Sequence, residues 1–310
     1  MSFGVVFPGQ GSQRVGMLEE AAGAFSIVGD TFSEASDALG YDLWHLVSQG
    51  PVEKLGLTEY TQPAILTASV ALYRAFSEAH SVWPTAGAGH SLGEYSALVC
   101  AGTLSLADGA RLVRRRGAAM QDAVPVGVGA MAVVMGLDDD VVTDTCNSIS
   151  SADSFVGGVN FNAPGQVVIA GHADAVDAAV VALKDAGARR AMPLPVSAPF
   201  HTPLMQPAAD VMQQAFEDAS WGTPQFPVVS NVDGSLQTDA DSIRESLVKQ
   251  ISAPVLWTSC MATLREGGCT QFVECGPGNV LSGLSKRIDK SVPIKSIELV
   301  AAINAGVTDL

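Results

Sequence analysis

The sequence predicts an α/β protein: a large domain on a parallel sheet, interrupted by a smaller β-α-β-β-α-β unit. Three observations predict it. The run Gly89-His-Ser-Leu-Gly93 lies between a small, extended segment, Trp83–Gly89, and a helical one, Leu92–Ala101, the strand–turn–helix of a nucleophile elbow. Between residues 127 and 196 the periodicity changes to short strands and helices unlike the flanks. The 310 residues are 47% hydrophobic and 16% charged, enough apolar material for a substantial core and too much for general disorder.

Phe3–Phe7 is an apolar strand, followed by the loop Pro8–Gln13. Helical stretches extend to residue 80. One opens at Thr61-Gln-Pro-Ala64, with Thr61 as cap and Pro63 in the first turn. After the elbow, Ser105-Leu-Ala-Asp108 opens a helix as a capping box does. Ala130–Met135 reads as a strand, Asp138–Ser150 as a helix, and Phe155–Phe161 and Gln166–Ala170 as strands. Asp174–Ala186 is a helix and Arg189–Val196 a strand. That order is the split, ferredoxin-like unit. The expected division is a large α/β-hydrolase-like catalytic domain, residues 1–126 and 197–310, with a ferredoxin-like subdomain inserted over 127–196. The outer domain resumes at Pro199-Phe-His-Thr202 with a helix near 204–218, a strand Pro227–Val232 and a helix over 240–250. It ends with a strand Gln271–Cys275, the turn Gly276-Pro-Gly278 and a last helix, Val280–Ile288.

The net charge of −15 argues against nucleic acid as a partner, since phosphate binding needs a basic face. The five cysteines are odd in number and lack C-x-x-C spacing, so buried free thiols are expected rather than disulfides or zinc. The N-terminus has no basic region and meets Pro8 and Gly9 at once, unlike a signal peptide. No uncharged apolar run reaches about 18 residues. A soluble, cytoplasmic protein is expected, and a monomer, since no helix shows a sustained coiled-coil or exposed apolar pattern.

A serine at an elbow projects its hydroxyl outward, and the helix start behind it aims free N–H groups at any oxyanion forming there. Ser91 is thus a candidate acyl carrier, and it needs a base. His90 adjoins it on a sharp turn and points elsewhere, which suits a hydrogen-bonded support. His45 and His80 fall in helical stretches and read as surface residues, and His172 as a turn residue. His201 stands where the chain leaves the insertion, and such seams form clefts; it is the preferred base. The loop Gly9-Gln10-Gly11 offers a second oxyanion donor. It fits neither G-x-G-x-x-G nor a P-loop, since Met17 stands where a lysine belongs; a plain strand-to-helix turn is the alternative.

Arg114-Arg115-Arg116 would ordinarily be a solvated basic face. At about 100° per residue, Leu106, Ala110, Val113, Gly117 and Met120 form one stripe, and Arg115 points directly away from it. Arg114 flanks the side shared with Ala107, Arg111 and Ala118. Arg116 flanks the more apolar margin, half-buried, with no acidic partner on its own helix face. A guanidinium buried there needs a carboxylate, and a substrate can bring one.

Together these residues resemble the malonyl-CoA:acyl carrier protein transacylases of bacterial fatty acid synthesis and the acyltransferase domains of polyketide synthases. The resemblance runs nearly end to end. It includes Phe7-Pro-Gly-Gln-Gly-Ser-Gln13, Tyr60-Thr-Gln-Pro-Ala64, Gly89-His-Ser-Leu-Gly-Glu-Tyr95, Arg116-Gly117 with Met120-Gln121, and Asn160-Phe-Asn162. It continues through Gln166-Val-Val-Ile-Ala-Gly171, Phe200-His201, Gln250 with Pro254-Val255, and Glu274-Cys-Gly-Pro-Gly278. It implies Ser91 as nucleophile, His201 as general base, and the backbone N–H groups of Gln10 and Leu92 as oxyanion hole. Arg116 would grip the malonyl carboxylate, and the main-chain carbonyl of Gln250 would orient His201, a dyad rather than a Ser-His-Asp triad. Gln62, Met120 and Asn162 are implied near the substrate, and Phe200 matches the malonyl-accepting subgroup, where its bulk crowds out an α-methyl branch.

The implied reaction is ping-pong, through a malonyl-serine, from malonyl-CoA to the phosphopantetheine thiol of holo acyl carrier protein, with no permanently bound cofactor and no metal. Carrier proteins are acidic, so docking is expected at Lys286-Arg287 with Lys290, or at Arg189-Arg190. A serine esterase or thioesterase is the rival from another class. It needs an acid between Ser and His in chain order, and the candidates, Asp138–Asp140 and Asp153, lie in the insertion. A free-standing polyketide-synthase acyltransferase is the nearer alternative; a non-catalytic carrier-binding scaffold would not need Ser91, His201 and Arg116 together.

Overall fold

The strand Phe3–Phe7 (β1) is buried at every residue, as a strand covered on both faces must be. The computed structural model describes residues 2–196 and 198–307. Four short helices follow β1: α1 (Glu19–Ala24), α2 (Ser26–Leu39), α3 (Leu43–Gln49) and α4 (Val52–Leu55). The long α5 (Thr58–His80) begins earlier than expected. Thr61 does not cap it; the side chain is buried, and a buried hydroxyl takes the nearest free carbonyl, here Leu55 O at 2.5 Å. Pro63 therefore lies inside the helix rather than in its first turn.

After β2 (Ala86–Gly89) come α6 (Leu92–Cys100) and α7 (Leu106–Asp122). Ser105 caps α7 as predicted, accepting from Asp108 N at 3.0 Å. The inserted elements are β3 (Gly129–Met135), α8 (Asp139–Ile149), β4 (Val156–Ala163), β5 (Gln166–His172), α9 (Ala173–Asp185) and β6 (Arg190–Pro193). They make an antiparallel sheet of order β4-β5-β3-β6, the ferredoxin-like arrangement. The expected strand to Val196 stops at Pro193, because Pro193 and Pro195 have no N–H to extend the ladder.

The chain then forms α10 (Gln206–Glu217), β7 (Val228–Val229), β8 (Leu236–Gln237), α11 (Ala240–Ser252), α12 (Trp257–Glu266) and β9 (Gln271–Glu274). The strand expected over Pro227–Val232 is only β7, because Asn231 turns its side chain into the elbow and the chain reverses at Gly234 into β8. Helix α12 was not anticipated, nor were the two elements after α13 (Val280–Ile288): β10 (Ile294–Ser296) and α14 (Val300–Ala305). Three- and six-residue elements are too short to carry a periodic signal. α14 also moves His80 off the surface, since His80 Nε2 lies 2.5 Å from Ile303 O.

The large sheet has the order β10-β9-β1-β2-β7-β8, parallel except for the β7–β8 hairpin. One core packs α2, α5, α6, α7 and α10 on one face, and a second packs α12 and α13 on the other. The small sheet packs α8 and α9 on one face, while Met131, Val159, Val168 and Ala170 cover the other. The sheets are stitched where Phe161 N donates to Val255 O at 3.0 Å and Val255 N to Val159 O at 2.8 Å. A cavity opens between them. All five cysteines are buried free thiols, and among the described residues no helix is long and apolar enough to cross a membrane.

Candidate active site

β2 runs into α6 through His90 and Ser91 with almost no space between them. A Cβ on Gly89 would lie 1.8 Å from Gly93 C, and one on Gly93 would lie 2.1 Å from Phe7 O. Only glycine fits at either position. Ser91 itself adopts φ 51°, ψ −106°, a strained conformation that costs roughly 1–3 kcal/mol and needs outside support. Asn231 supplies it from beyond β7: Ser91 N donates to Asn231 Oδ1 at 2.7 Å, and Asn231 Nδ2 donates to Gly89 O at 2.8 Å.

The residues expected to meet Ser91 do so. Ser91 Oγ lies 2.7 Å from His201 Nε2. His201 Nδ1 donates to the carbonyl of Gln250 at 2.8 Å, which leaves Nε2 as the acceptor for the serine hydroxyl. His201 is 4% exposed with φ 63°. Burial, with the nearby Arg116 charge adding to it, pushes its pKa down to about 3, so it is neutral and able to take a proton.

Arg116 departs from expectation in degree. It is 1% exposed rather than half-buried, because α5 and α11 close over α7 on that side. Arg115 is exposed, and Arg114 pairs with Glu59. Arg116 Nη1 donates to Gln62 Oε1 at 3.0 Å, and Nη2 donates to Gln250 Oε1 at 2.8 Å and to Ser91 Oγ at 3.1 Å. It forms no ion pair among the described residues. Every partner is neutral, and burial lowers its pKa.

The cavity beside Ser91 measures about 120 Å³ and is lined by Gln10, Gln62, His90, Leu92, Arg116, Met120, Phe200 and His201, with Met131, Asn160, Leu194 and Val196 from the inserted side; His90, expected to point elsewhere, thus forms part of its wall. Among the described residues neither the Gln10 nor the Leu92 backbone N–H has a hydrogen-bond acceptor. Gln62 is held by Arg116 and by Met120 Sδ, 4.0 Å from Gln62 Nε2. Asn162 is the exception to the expected lining. Its Oδ1 lies 2.7 Å from His90 Nε2, and Asn160 takes the place at the wall. β4 is irregular at both residues, which obscures from sequence which asparagine faces inward. His90, held by Asn162 and stacked near Trp257, supports the elbow as expected. His45 is exposed, and His172 Nδ1 accepts from Phe155 N at the turn into α9.

Three groups here escaped sequence reasoning: Glu94, Asn231 and the side chain of Gln250. Glu94 is 3% exposed, and Oε2 accepts from Gln250 Nε2 at 2.9 Å and from Asn231 N at 3.1 Å. Burial raises its carboxyl to about 7. The Gln250 side chain also donates to Ser91 O at 2.9 Å. An acid one turn after the serine was the available signal for Glu94; nothing local marks Asn231.

Lys286, Arg287, Arg189 and Arg190 are all exposed and outside the cavity. Arg287 bonds to Gln166 Oε1, and Gln166, Met135 and Arg190 are register partners across β5, β3 and β6. The two basic clusters thus meet at one end of the small sheet.

The acyl transferase domain family model matches residues 5–310. A malonyl CoA-acyl carrier protein transacylase of Escherichia coli strain K12 is 51% identical over 98% of this chain and 98% of its own length. The structure of the corresponding transacylase from Coxiella burnetii is 46% identical, with a TM-score of 0.96 over 98% of this chain and 96% of its own. A malonyl-transacylase in complex with its type II PKS acyl-carrier protein is 49% identical, with a TM-score of 0.97 over 100% of both chains. The chain belongs to the acyl transferase domain family, among the malonyl CoA-acyl carrier protein transacylases, and is an acyltransferase.

Proposed function

We propose that the protein transfers malonyl groups from malonyl-CoA to the pantetheine thiol of a holo acyl carrier protein through a malonyl-Ser91 intermediate, supplying fatty acid synthesis. The observation that carries the reading is Arg116: a fully buried cation beside the serine whose direct partners are all neutral, with the Glu94 carboxylate set behind Gln250 rather than bonded to it. Such a charge is costly unless an anion joins it, and a malonyl carboxylate supplies that anion bidentately.

Ser91 Oγ attacks the thioester carbonyl and its proton passes to His201 Nε2. The N–H groups of Gln10 and Leu92 bond the oxyanion, and coenzyme A leaves as the thiol with that proton. In the second half the carrier's pantetheine thiol gives its proton to His201 and attacks the ester; the malonyl thioester forms and Ser91 recovers its proton. The Gln250 carbonyl holds the histidine tautomer through both halves. Phe200 and Met120 bound the acyl pocket, and Asn162 acts through His90. The reading calls for no permanently bound cofactor.

Residues 127–196 act as an inserted subdomain covering a catalytic domain of 1–126 and 197–310; Met1, Ser197 and 308–310 lie outside the described residues. The joined basic end of the small sheet, Lys286, Arg287, Arg189 and Arg190, is the carrier's docking surface. It lies about 13 Å along β3 from Met131 at the cavity, four residues at about 3.3 Å each. The chain works as a cytoplasmic monomer. The complex of a 49% identical relative with a type II PKS acyl-carrier protein supports a second reading, in which the carrier belongs to polyketide synthesis.

Arg116→Ala tests the central observation. Losing the clamp should remove about 3 kcal/mol of transition-state binding, roughly 100-fold in kcat/KM for malonyl transfer, while acetyl transfer falls far less. Equal losses for both acyl groups would contradict it.

A further inference from the structure

Glu94 is a buried acid that the acyl-transfer steps do not use. Its Oε2 accepts from Gln250 Nε2 at 2.9 Å and from Asn231 N at 3.1 Å, and both donors build the site. Asn231 fixes the strained Ser91 backbone. Gln250 touches all three principal residues: its carbonyl accepts from His201 Nδ1, its Oε1 accepts from Arg116 Nη2, and its Nε2 donates to Ser91 O.

A glutamine amide has one donor end and one acceptor end, so its surroundings decide which way it points. Here Nε2 faces two acceptors, Glu94 Oε2 and Ser91 O, and Oε1 faces a donor, Arg116 Nη2. Turning the amide over would set Oε1 against a carboxylate and a carbonyl, and its NH2 against a guanidinium. A carboxylate at position 94 can only accept and so adds to the hold of Ser91 O and Arg116 Nη2 on that amide; a neutral amide there, able to donate as well, removes this third restraint and weakens the lock. With Oε1 fixed, Arg116 is held where Nη2 also reaches Ser91 Oγ at 3.1 Å.

We propose that Glu94 is a positioning residue for the Ser91–His201 pair: its carboxylate locks the Gln250 amide toward Arg116 and supplies the negative charge that opposes Arg116 inside the site. The proposal rests on the reading of Ser91 as nucleophile and His201 as base. The charged and titratable groups that act on Glu94 are Arg116 from α7, Asp233 from the turn after β7, Cys260 from α12 and its neighbour Tyr95. Arg116 is the one cation among these four. Burial holds the Glu94 carboxyl at about 7, so its charge changes in the neutral range. When it takes a proton, Arg116 is left unopposed, His201 becomes a weaker base, and Ser91 is less readily deprotonated.

The test uses an uncharged fluorophosphonate, which needs neither a malonyl carboxylate nor a carrier. Ser91 Oγ forms the P–O bond, fluoride leaves, and the serine proton goes to His201. Labelling rates are read by intact mass from about pH 6 to about pH 8 for the wild type, Glu94→Gln and Ser91→Ala, with thermal melts alongside. The wild-type rate should fall as the pH drops through about 7. Glu94→Gln should be at least tenfold slower at the alkaline end and level across the range. A Glu94→Gln rate and profile equal to the wild type overturn the proposal, and so does a uniform slowing that leaves the wild-type profile intact. If Glu94→Gln does not fold, a wild-type rate level over this range overturns it. Labelling that persists in Ser91→Ala sinks the nucleophile reading itself, and the proposal with it.

Discussion

His201 and Glu94 hold their protons in opposite senses, and that fixes how stability changes with pH. His201 is neutral in the folded chain, with its pKa at about 3 against 6.5 for the free side chain. Below pH 6.5 the unfolded chain binds a proton that the native site refuses. The wild type should therefore lose stability relative to His201→Asn as the pH falls from about 6.5 toward about 3. Glu94 goes the other way, from 4.5 to about 7. The native chain keeps a proton that the unfolded chain releases, so the wild type should lose stability relative to Glu94→Gln as the pH rises from about 4.5 to about 7. Urea midpoints across a pH series check both; a gap that is constant with pH would contradict either assignment. At this scale Ser91, His201 and Arg116 were legible, because each has a local mark: an elbow, a domain seam, and a helix face with an unpaired arginine. Glu94, Asn231 and the Gln250 side chain were not. Their importance lies in contacts between residues 137 to 159 positions apart, which no local pattern records.

The elbow is the element on which the site depends. Its glycines are required by contact rather than by turn geometry alone: α6 lies so close to β1 that a Cβ at Gly93 would meet Phe7 O at 2.1 Å. Gly93→Ala must push helix and strand apart, and should cost about 3 kcal/mol by urea denaturation; a change within about 0.5 kcal/mol would show that the interface yields freely. Asn231→Ala should leave the sheet intact and release the Ser91 backbone, lowering kcat by at least tenfold with little change in KM for malonyl-CoA; an unchanged kcat would mean that the elbow holds its strain unaided. Long periodic elements such as α7 and the strands of the inserted unit could be read from sequence. β7, β10 and α14 could not, since their two, three and six residues owe their conformation to the sheet edge or core they join.

Over the whole molecule, the two sheets meet at β4 and Val255, and the cavity lies at that seam. The order of the inserted elements was readable from alternation and length, whereas the pairing of β4 with Val255 depends on how the two units dock. The basic clusters behave similarly: 97 residues separate Arg190 from Arg287, and only the register of β6, β3 and β5 shows that they share one end of the small sheet. Replacing Lys286 and Arg287 by Glu should raise KM for the carrier protein several-fold and leave KM for malonyl-CoA unchanged; equal effects on both would place docking elsewhere. The central claim, that Ser91 stores a malonyl group between two thiols, is tested most directly by intact mass. After incubation with malonyl-CoA the wild type should gain one malonyl group, Ser91→Ala should gain none, and holo carrier protein should remove the adduct while acquiring the same mass. An adduct lost to water at the same rate with or without the carrier, or one that survives in Ser91→Ala, would contradict the account.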